Sequence, residues 1–186
     1  MSRIGKFLRV FPLLFLFLPG GLVGQRGGGG GGAEAGFFRG VAEYYNVAHE
    51  EVSVLSEWGL APAEIPVVLF LAGRVGISPD VVVARRQRGA DWIDIARGLG
   101  VHAGDLYVRL EGPSGFLSGA YDRFNSSGPA EWDSVTLTDR EVTGLVNVRF
   151  ISRFLEVPPG DVIRALQTGG SVVQGYTALR RRTQRP

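Results

Sequence analysis

Three ungapped stretches of this chain, 41–69, 71–99 and 151–179, carry one shared pattern of apolar residues and glycine. The matching positions are Val41, Leu71 and Ile151; Tyr45, Val75 and Leu155; Val47, Ile77 and Val157; and Val52, Val82 and Val162. The pattern continues through Gly59, Gly89 and Gly169, then Ala63, Ile93 and Val173, and ends at Leu69, Leu99 and Leu179. The second stretch follows the first by 30 residues and the third follows the second by 80, one further step of 30 with 50 residues inserted. Seven positions in register argue a repeated supersecondary unit, which cannot bury its apolar face alone and must stack on its neighbours.

Each unit reads as helix, turn, helix, glycine turn, helix. Val41 and Tyr45, Leu71 and Val75, and Ile151 and Leu155 place apolar residues four apart on one helix face. The following turns carry helix-start chemistry. Ser78-Pro79-Asp80 offers a capping hydroxyl, proline at the first helical position and an early acid, with Pro158-Pro159-Gly160-Asp161 a variant and Ala48-His49-Glu50-Glu51 keeping only the acids. The glycine twelve residues beyond Val47, Ile77 or Val157 suits a left-handed residue closing a helix. Residues 64–75 (EIPVVLFLAGRV) are apolar nearly all round and predict a buried central helix, with a strand at Val67-Val68 as the alternative.

The insertion, 100–150, differs in character. Between Val101 and Ser134 it is rich in glycine and proline and carries Tyr107, Phe116, Tyr121, Phe124 and Trp132. It reads as a long loop packed by its own aromatics, with Leu106 to Leu110 fitting either a short strand or a helix end. Thr138-Asp139-Arg140-Glu141 is a capping box that opens a helix from Val142 to Leu155. The expected fold is therefore mostly α, with three helical units packed in one domain spanning 37–179. At 186 residues and 45% hydrophobic, the chain is long and apolar enough for one core.

The ends are of another kind. Arg3, Lys6 and Arg9 precede the apolar run Val10 to Leu18, and Pro19-Gly20-Gly21 breaks it, so 1–24 reads as a secretory signal peptide. The run is shorter than the roughly 20 residues of a membrane span, which leaves an N-terminal anchor as the second reading and no span after cleavage. Ala33-Glu34-Ala35 has the better cleavage form but lies far from the run. Residues 25–36, with six consecutive glycines at Gly27 to Gly32, read as a flexible linker. A phosphate loop would need a lysine after the glycines, and Lys6 is the only lysine in the chain. Residues 180–186 read as a basic tail.

These ends account for the basic character. Of 20 basic residues, three lie in 1–24 and four in 180–186, leaving 13 against 18 acidic residues between them. A body at net −5 is the reverse of a DNA-binding face. The absence of cysteine removes disulfides, thiolate metal sites and cysteine nucleophiles, and only His49 and His102 could supply imidazole chemistry. Neither cofactor nor metal motif is present in the sequence.

Two resemblances follow from quoted residues. Arg88 to Val101, with Trp92, Ile95, Ala96, Leu99 and Gly100, resembles the W-x-x-I-A-x-x-L-G-V core of helix-turn-helix proteins. That likeness implies a recognition helix at Gly104 to Glu111, where the sequence supplies a single basic residue, Arg109. Over Val41 to Leu179, the succession Tyr44-Tyr45-Asn46-Val47, Ile65-Pro66-Val67-Val68, Gly89 to Ile95 and Asn147-Val148-Arg149-Phe150 resembles uncharacterised exported bacterial proteins. This second likeness implies a helical fold and an exported address, and carries no activity.

Among chemical candidates, His49, His102 and the pair Asp91 and Asp94 read most plainly as a helix-start histidine, a loop histidine and helix-start acids. Arg85-Arg86-Gln87-Arg88 reads as a solvated face, with Arg85 and Arg88 available to an anion or partner. Trp92, Tyr107 and Tyr121 are the aromatic candidates for a binding groove, core packing being the plainer reading of Trp92. The functional expectation is a non-enzymatic binding or structural module of the bacterial envelope, whose partner is a protein or envelope component and not a specific nucleic acid. An enzyme with an acid/base site in the insertion is the second reading, and a helix-turn-helix nucleic-acid binder the third.

Overall fold

A computed structural model describes residues 30–184; the expected signal peptide at 1–24, the first part of the expected linker at 25–29, and residues 185–186 lie outside them. The fold is mostly α, with no strand among the described residues, so Val67-Val68 is helical and Leu106 to Leu110 holds only a helix end. The helices are α1 (Gly30–Tyr45), α2 (His49–Glu57), α3 (Ile65–Val75), α4 (Pro79–Gln87), α5 (Trp92–Arg97) and α6 (Ala103–Leu106), followed by α7 (Ser118–Ser126), α8 (Asp139–Leu155), α9 (Pro159–Gly169) and α10 (Val172–Thr183).

The repeated sequence positions carry repeated backbone geometry. α1, α3 and α8 each end on a left-handed residue at equivalent places: Asn46 at φ 53°, Gly76 at φ 71° and Glu156 at φ 54°. In each case the next residue's N–H reaches back to the last helical turn, Val47 to the Ala42 carbonyl, Ile77 to Ala72 and Val157 to Ser152, at 3.0–3.1 Å. This Schellman closure satisfies carbonyls that the helix end orphans and turns the chain into α2, α4 and α9. Asparagine tolerates the left-handed region better than most residues; Glu156 has no such excuse and is the strained copy. Gly59 at φ 83° and Gly89 at φ 86° close α2 and α4 as expected, while in the third stretch Gly169 stays helical and Gly170 takes the left-handed turn at φ 73°.

One core joins the three stretches. α3 buries Ile65, Val67, Val68, Leu69 and Leu71, and lies against α8, which also meets α1, α5, α9 and α10. Val41, Leu71, Ile151, Val52, Val82 and Val162 are all fully buried in the same cluster. A second layer is aromatic: Phe37 of α1 meets Phe150 of α8 and Tyr176 of α10 edge-on, with centroids 5.9 and 5.4 Å apart. α1 approaches α10 closely enough that a Cβ at Gly40 would overlap the Tyr176 hydroxyl.

Four expectations need correction. Residues 30–36 are helix and not linker: glycine costs about 1 kcal/mol per helical position relative to alanine, but Ala33, Glu34 and Ala35 extend the helix that buried Phe37, Phe38 and Val41 anchor. Arg180 to Arg182 belong to α10 and not to a tail, and Arg180 donates to the Gly36 carbonyl at 3.3 Å. The insertion is not a long loop, since Ser118–Ser126 is helical and 3-10 turns form at Gly115–Leu117 and Pro129–Ser134. Ser78 sits at the start of α4 without a side-chain cap bond, because its own carbonyl takes the Val81 N–H at 3.2 Å. By contrast the Thr138 and Glu141 capping box is formed, with Thr138 N–H donating to Glu141 Oε2 at 2.8 Å.

The helix-turn-helix likeness ends at its first helix. α6 is a single turn, Ala103–Leu106, and the chain leaves it extended, so the element directly after α5 is too short to lie in a groove.

Candidate functional site

A cleft of about 620 Å³ opens along α8, between the α9–α10 corner and the 3-10 turn at Gly115–Leu117. That is within the range of small-ligand sites. Thr143 and Asn147, four apart on one face of α8, form its floor, with Gly144 between them. A Cβ at Gly144 would stand 2.7 Å from Phe116 and 2.8 Å from Leu117, so glycine here lets the insertion close one wall. Leu166 and Val172 supply apolar surface opposite, and Gln167 and Ser171 supply polar groups at the rim.

Asn147 is 2% exposed and its orientation is set from two sides. Its Nδ2 donates to the Ala63 carbonyl ahead of α3 and to the Thr143 carbonyl one turn back, both at 2.8 Å. Oδ1 is then left buried without a hydrogen-bond partner among the described residues. Such an acceptor costs about 1–3 kcal/mol.

The other end of the cleft is a charge network. Arg86 donates to Glu64 Oε1 from Nε and Nη2 at 3.0 and 2.9 Å, and from Nη1 to Asp139 Oδ2 at 2.6 Å. Asp139 Oδ1 accepts the Trp92 backbone N–H at 2.7 Å. Burial works against the Arg86 charge, but the hydrogen bonds of Asp139 and Glu64 outweigh it and hold the guanidinium above its ordinary pKa. Asp139 and Arg140 are the cleft's ionisable lining groups; Asp139 is engaged as described, and the Arg140 guanidinium lies over the Phe116 ring at 5.6 Å. What remains for a ligand is a set of hydroxyls and carboxamides, with the Arg140 guanidinium over an aromatic edge.

The aromatic candidates belong elsewhere. Trp92 is fully buried, its Nε1 donating to Glu64 Oε1 at 3.2 Å, so it is core and not groove. Tyr121, at 6% exposure, is also core: its hydroxyl donates to the Val108 carbonyl, and burial pushes its phenol pKa well up. Tyr107 is half-buried, 4.2 Å centroid to centroid from Trp132 in the insertion's own aromatic cluster, and lines a second, smaller cavity. Arg85 is half-buried beside Gly98, and Arg88 is exposed with its Nε on the Ala84 carbonyl at 2.9 Å; neither lines a cavity described here. Arg86, between them, is no solvated side chain but the centre of the network above.

The acid/base candidates do not share a cavity. His49 is exposed on α2 and Asp91 precedes α5; two further acids, Glu111 in the loop after α6 and Asp122 on α7, are exposed as well. The His102 backbone N–H donates to Asp105 Oδ2 at 3.0 Å at the start of α6. None of the five lines the cleft, and no group of three His, Asp or Glu among the described residues is placed to hold a metal ion. Asn147, Thr143, Gln167 and Arg86 were not singled out as site residues by sequence reasoning. One signal was available for Asn147: a carboxamide inside Leu145-Val146-Asn147-Val148 has to find partners or lie at a site. No protein-family model, curated protein or solved structure matches this chain.

Proposed function

We propose that this protein is an exported, non-enzymatic binding module of the bacterial cell envelope, built of three helical repeat units, and that its ligand seats in the α8 cleft. The observation that carries the reading is the cleft's chemistry. Its volume suits a ligand, yet its one carboxylate, Asp139, is bonded to Arg86 and Trp92, leaving no uncommitted general acid or base among its lining residues. Thr143, Asn147, Gln167 and Ser171 instead suit an uncharged ligand segment bearing hydroxyl or amide groups, with Phe116 and Leu166 against its apolar face. The signal-like start of the sequence supports the address, either released after cleavage or held by an uncleaved N-terminal anchor. The recurring closures at Asn46, Gly76 and Glu156 support the reading of three related units.

Two experiments test this. Fractionation of bacteria expressing the full chain is expected to place it in the periplasm or medium, beginning near Gln25; a soluble cytoplasmic chain that retains Met1 contradicts the address. Titration with N-acetylglucosamine oligomers and with a neutral peptide is expected to show binding of one of them to the natural chain and not to Thr143→Trp, which fills the cleft. Equal behaviour of the two proteins contradicts the site.

A further inference from the structure

The second cavity, about 230 Å³, lies where the chain leaving α6 crosses the end of α8 and the start of α9. It is lined by three arginines, Arg109, Arg149 and Arg153, with Tyr107, Ser152 and Pro159. The folded body has an acidic excess, and several arginines elsewhere are paired with carboxylates: Arg74 with Asp105, Arg86 with Glu64 and Asp139, Arg123 with Glu141, Arg164 with Asp161. Among the described residues, none of the three in this cavity has a carboxylate within 4.0 Å.

Arg149 is held in place for this position. Its Nη2 donates to the Asp105 and Tyr107 carbonyls at 2.7 and 2.8 Å, and its guanidinium lies 5.1 Å from the centre of the Phe70 ring. Burial, then the like charge of Arg153, push its pKa below the ordinary value, with Tyr44 and Tyr45 opposing and Arg74 adding to the repulsion. A guanidinium nevertheless stays charged in proteins. Three cations gathered without an internal counter-charge are stabilised by an anion from outside, and α9 begins at Pro159, which turns the positive end of an 11-residue helix toward the same place.

We propose that this cavity is a phosphate-binding site, in which Arg149 forms the fixed base and Arg109 and Arg153 close over the oxyanion from the exposed rim. Guanidinium groups match phosphate oxygens in planar, paired hydrogen bonds, and the volume is below that of sites for drug-sized ligands but ample for a phosphoryl group. The site is separate from the α8 cleft and does not depend on what that cleft binds.

The test uses the full chain, Arg109→Gln, Arg153→Gln and the double variant, with inorganic phosphate as one probe. The second probe is a vesicle of equimolar phosphatidylcholine and phosphatidic acid, set against phosphatidylcholine alone. Arg109 and Arg153 are exposed, so these variants should melt as the natural chain does in phosphate-free buffer; Arg149→Lys, which keeps the charge and loses the planar fork, is the further check. The expected result is calorimetric binding of phosphate at constant ionic strength, weakened at least about tenfold by each single variant and lost in the double. Binding of free phosphate identifies a soluble ligand. Sedimentation with phosphatidic acid vesicles alone, abolished in the double variant, identifies a lipid headgroup and supports the same site. Binding of neither probe, or binding that the double variant leaves unchanged, overturns the proposal.

Discussion

Trp92 Nε1 donates to Glu64 Oε1 at 3.2 Å, and the same oxygen accepts Arg86 Nε and Nη2 at 3.0 and 2.9 Å. The indole of α5 thereby meets the start of α3 and the flank of α4, with the Arg86 guanidinium 4.9 Å from the ring centre. A fully buried tryptophan that also completes a polar network is costly to remove. Trp92→Ala is expected to lower stability by about 3–5 kcal/mol in a urea or guanidinium melt. A loss under about 1 kcal/mol would place the ring outside the core.

The acid side of the stability profile follows from two carboxylates. Burial raises the Glu141 pKa, but the Thr138 N–H, the Arg123 guanidinium and the Thr138 hydroxyl outweigh it and leave the group below its ordinary value. The His102 N–H holds Asp105 low, burial opposes it, and Arg74 adds to the lowering. Both groups therefore bind protons less tightly folded than unfolded. Their contribution is complete above the unfolded values of about 4 and is lost as pH falls through the lower folded values. The urea midpoint is expected to fall on acidification in that window, and less steeply in Glu141→Gln. A midpoint that holds or rises as pH drops below about 4 contradicts this.

Two glycines in helices should respond with opposite signs. A Cβ at Gly175 of α10 would stand 3.0 Å from the Ala165 carbonyl oxygen of α9 and 2.8 Å from Leu166, and the backbone carbonyl cannot swing away. Gly175→Ala is expected to cost about 1–3 kcal/mol. Gly73 of α3 faces open space, so Gly73→Ala is expected to stabilise by about 0.5–1 kcal/mol through lower unfolded-state entropy. Paired thermal melts check both, and equal shifts would contradict the packing of α9 on α10.

What the sequence made legible was local. The turn positions Val47, Ile77 and Val157, the buried α3 and the capping box of α8 all depend on residues within one or two helical turns. Ser118–Ser126 was hidden because glycine, serine and asparagine are poor helix formers; burial of Ala120, Tyr121 and Phe124 overrides that propensity. The glycines of α1 were hidden in the same way, since Phe37 acts on them only through the distant α8 and α10. The site was less legible still. Arg86 meets Asp139 across 53 residues and Asn147 meets Ala63 across 84, and no local period records such pairs.

Asn147 offers a further check on the cleft floor. Asn147→Asp replaces two donated hydrogen bonds by a carboxylate facing the Ala63 and Thr143 carbonyls, a change worth more than the about 1–3 kcal/mol of a neutral unsatisfied group. The new carboxyl would have a raised folded pKa, so its protonated form restores one donor. Relative to the natural chain, the variant should regain stability as pH falls toward the unfolded aspartate value of about 3.9. A pH-independent difference between the two proteins would mean that Asn147 does not bond as described.

The most direct measurement of the binding reading is an amide-resolved NMR titration of the folded chain with N-acetylglucosamine oligomers and, separately, a neutral peptide. Saturable shifts are expected for one of these ligands at Thr143, Gly144, Gln167, Ser171 and the Asn147 side-chain amide, all absent in Thr143→Trp. Shifts that instead gather on the exposed apolar residues Val54, Trp58 and Val81, or no shifts with either ligand, would contradict the assignment of the α8 cleft as the binding site.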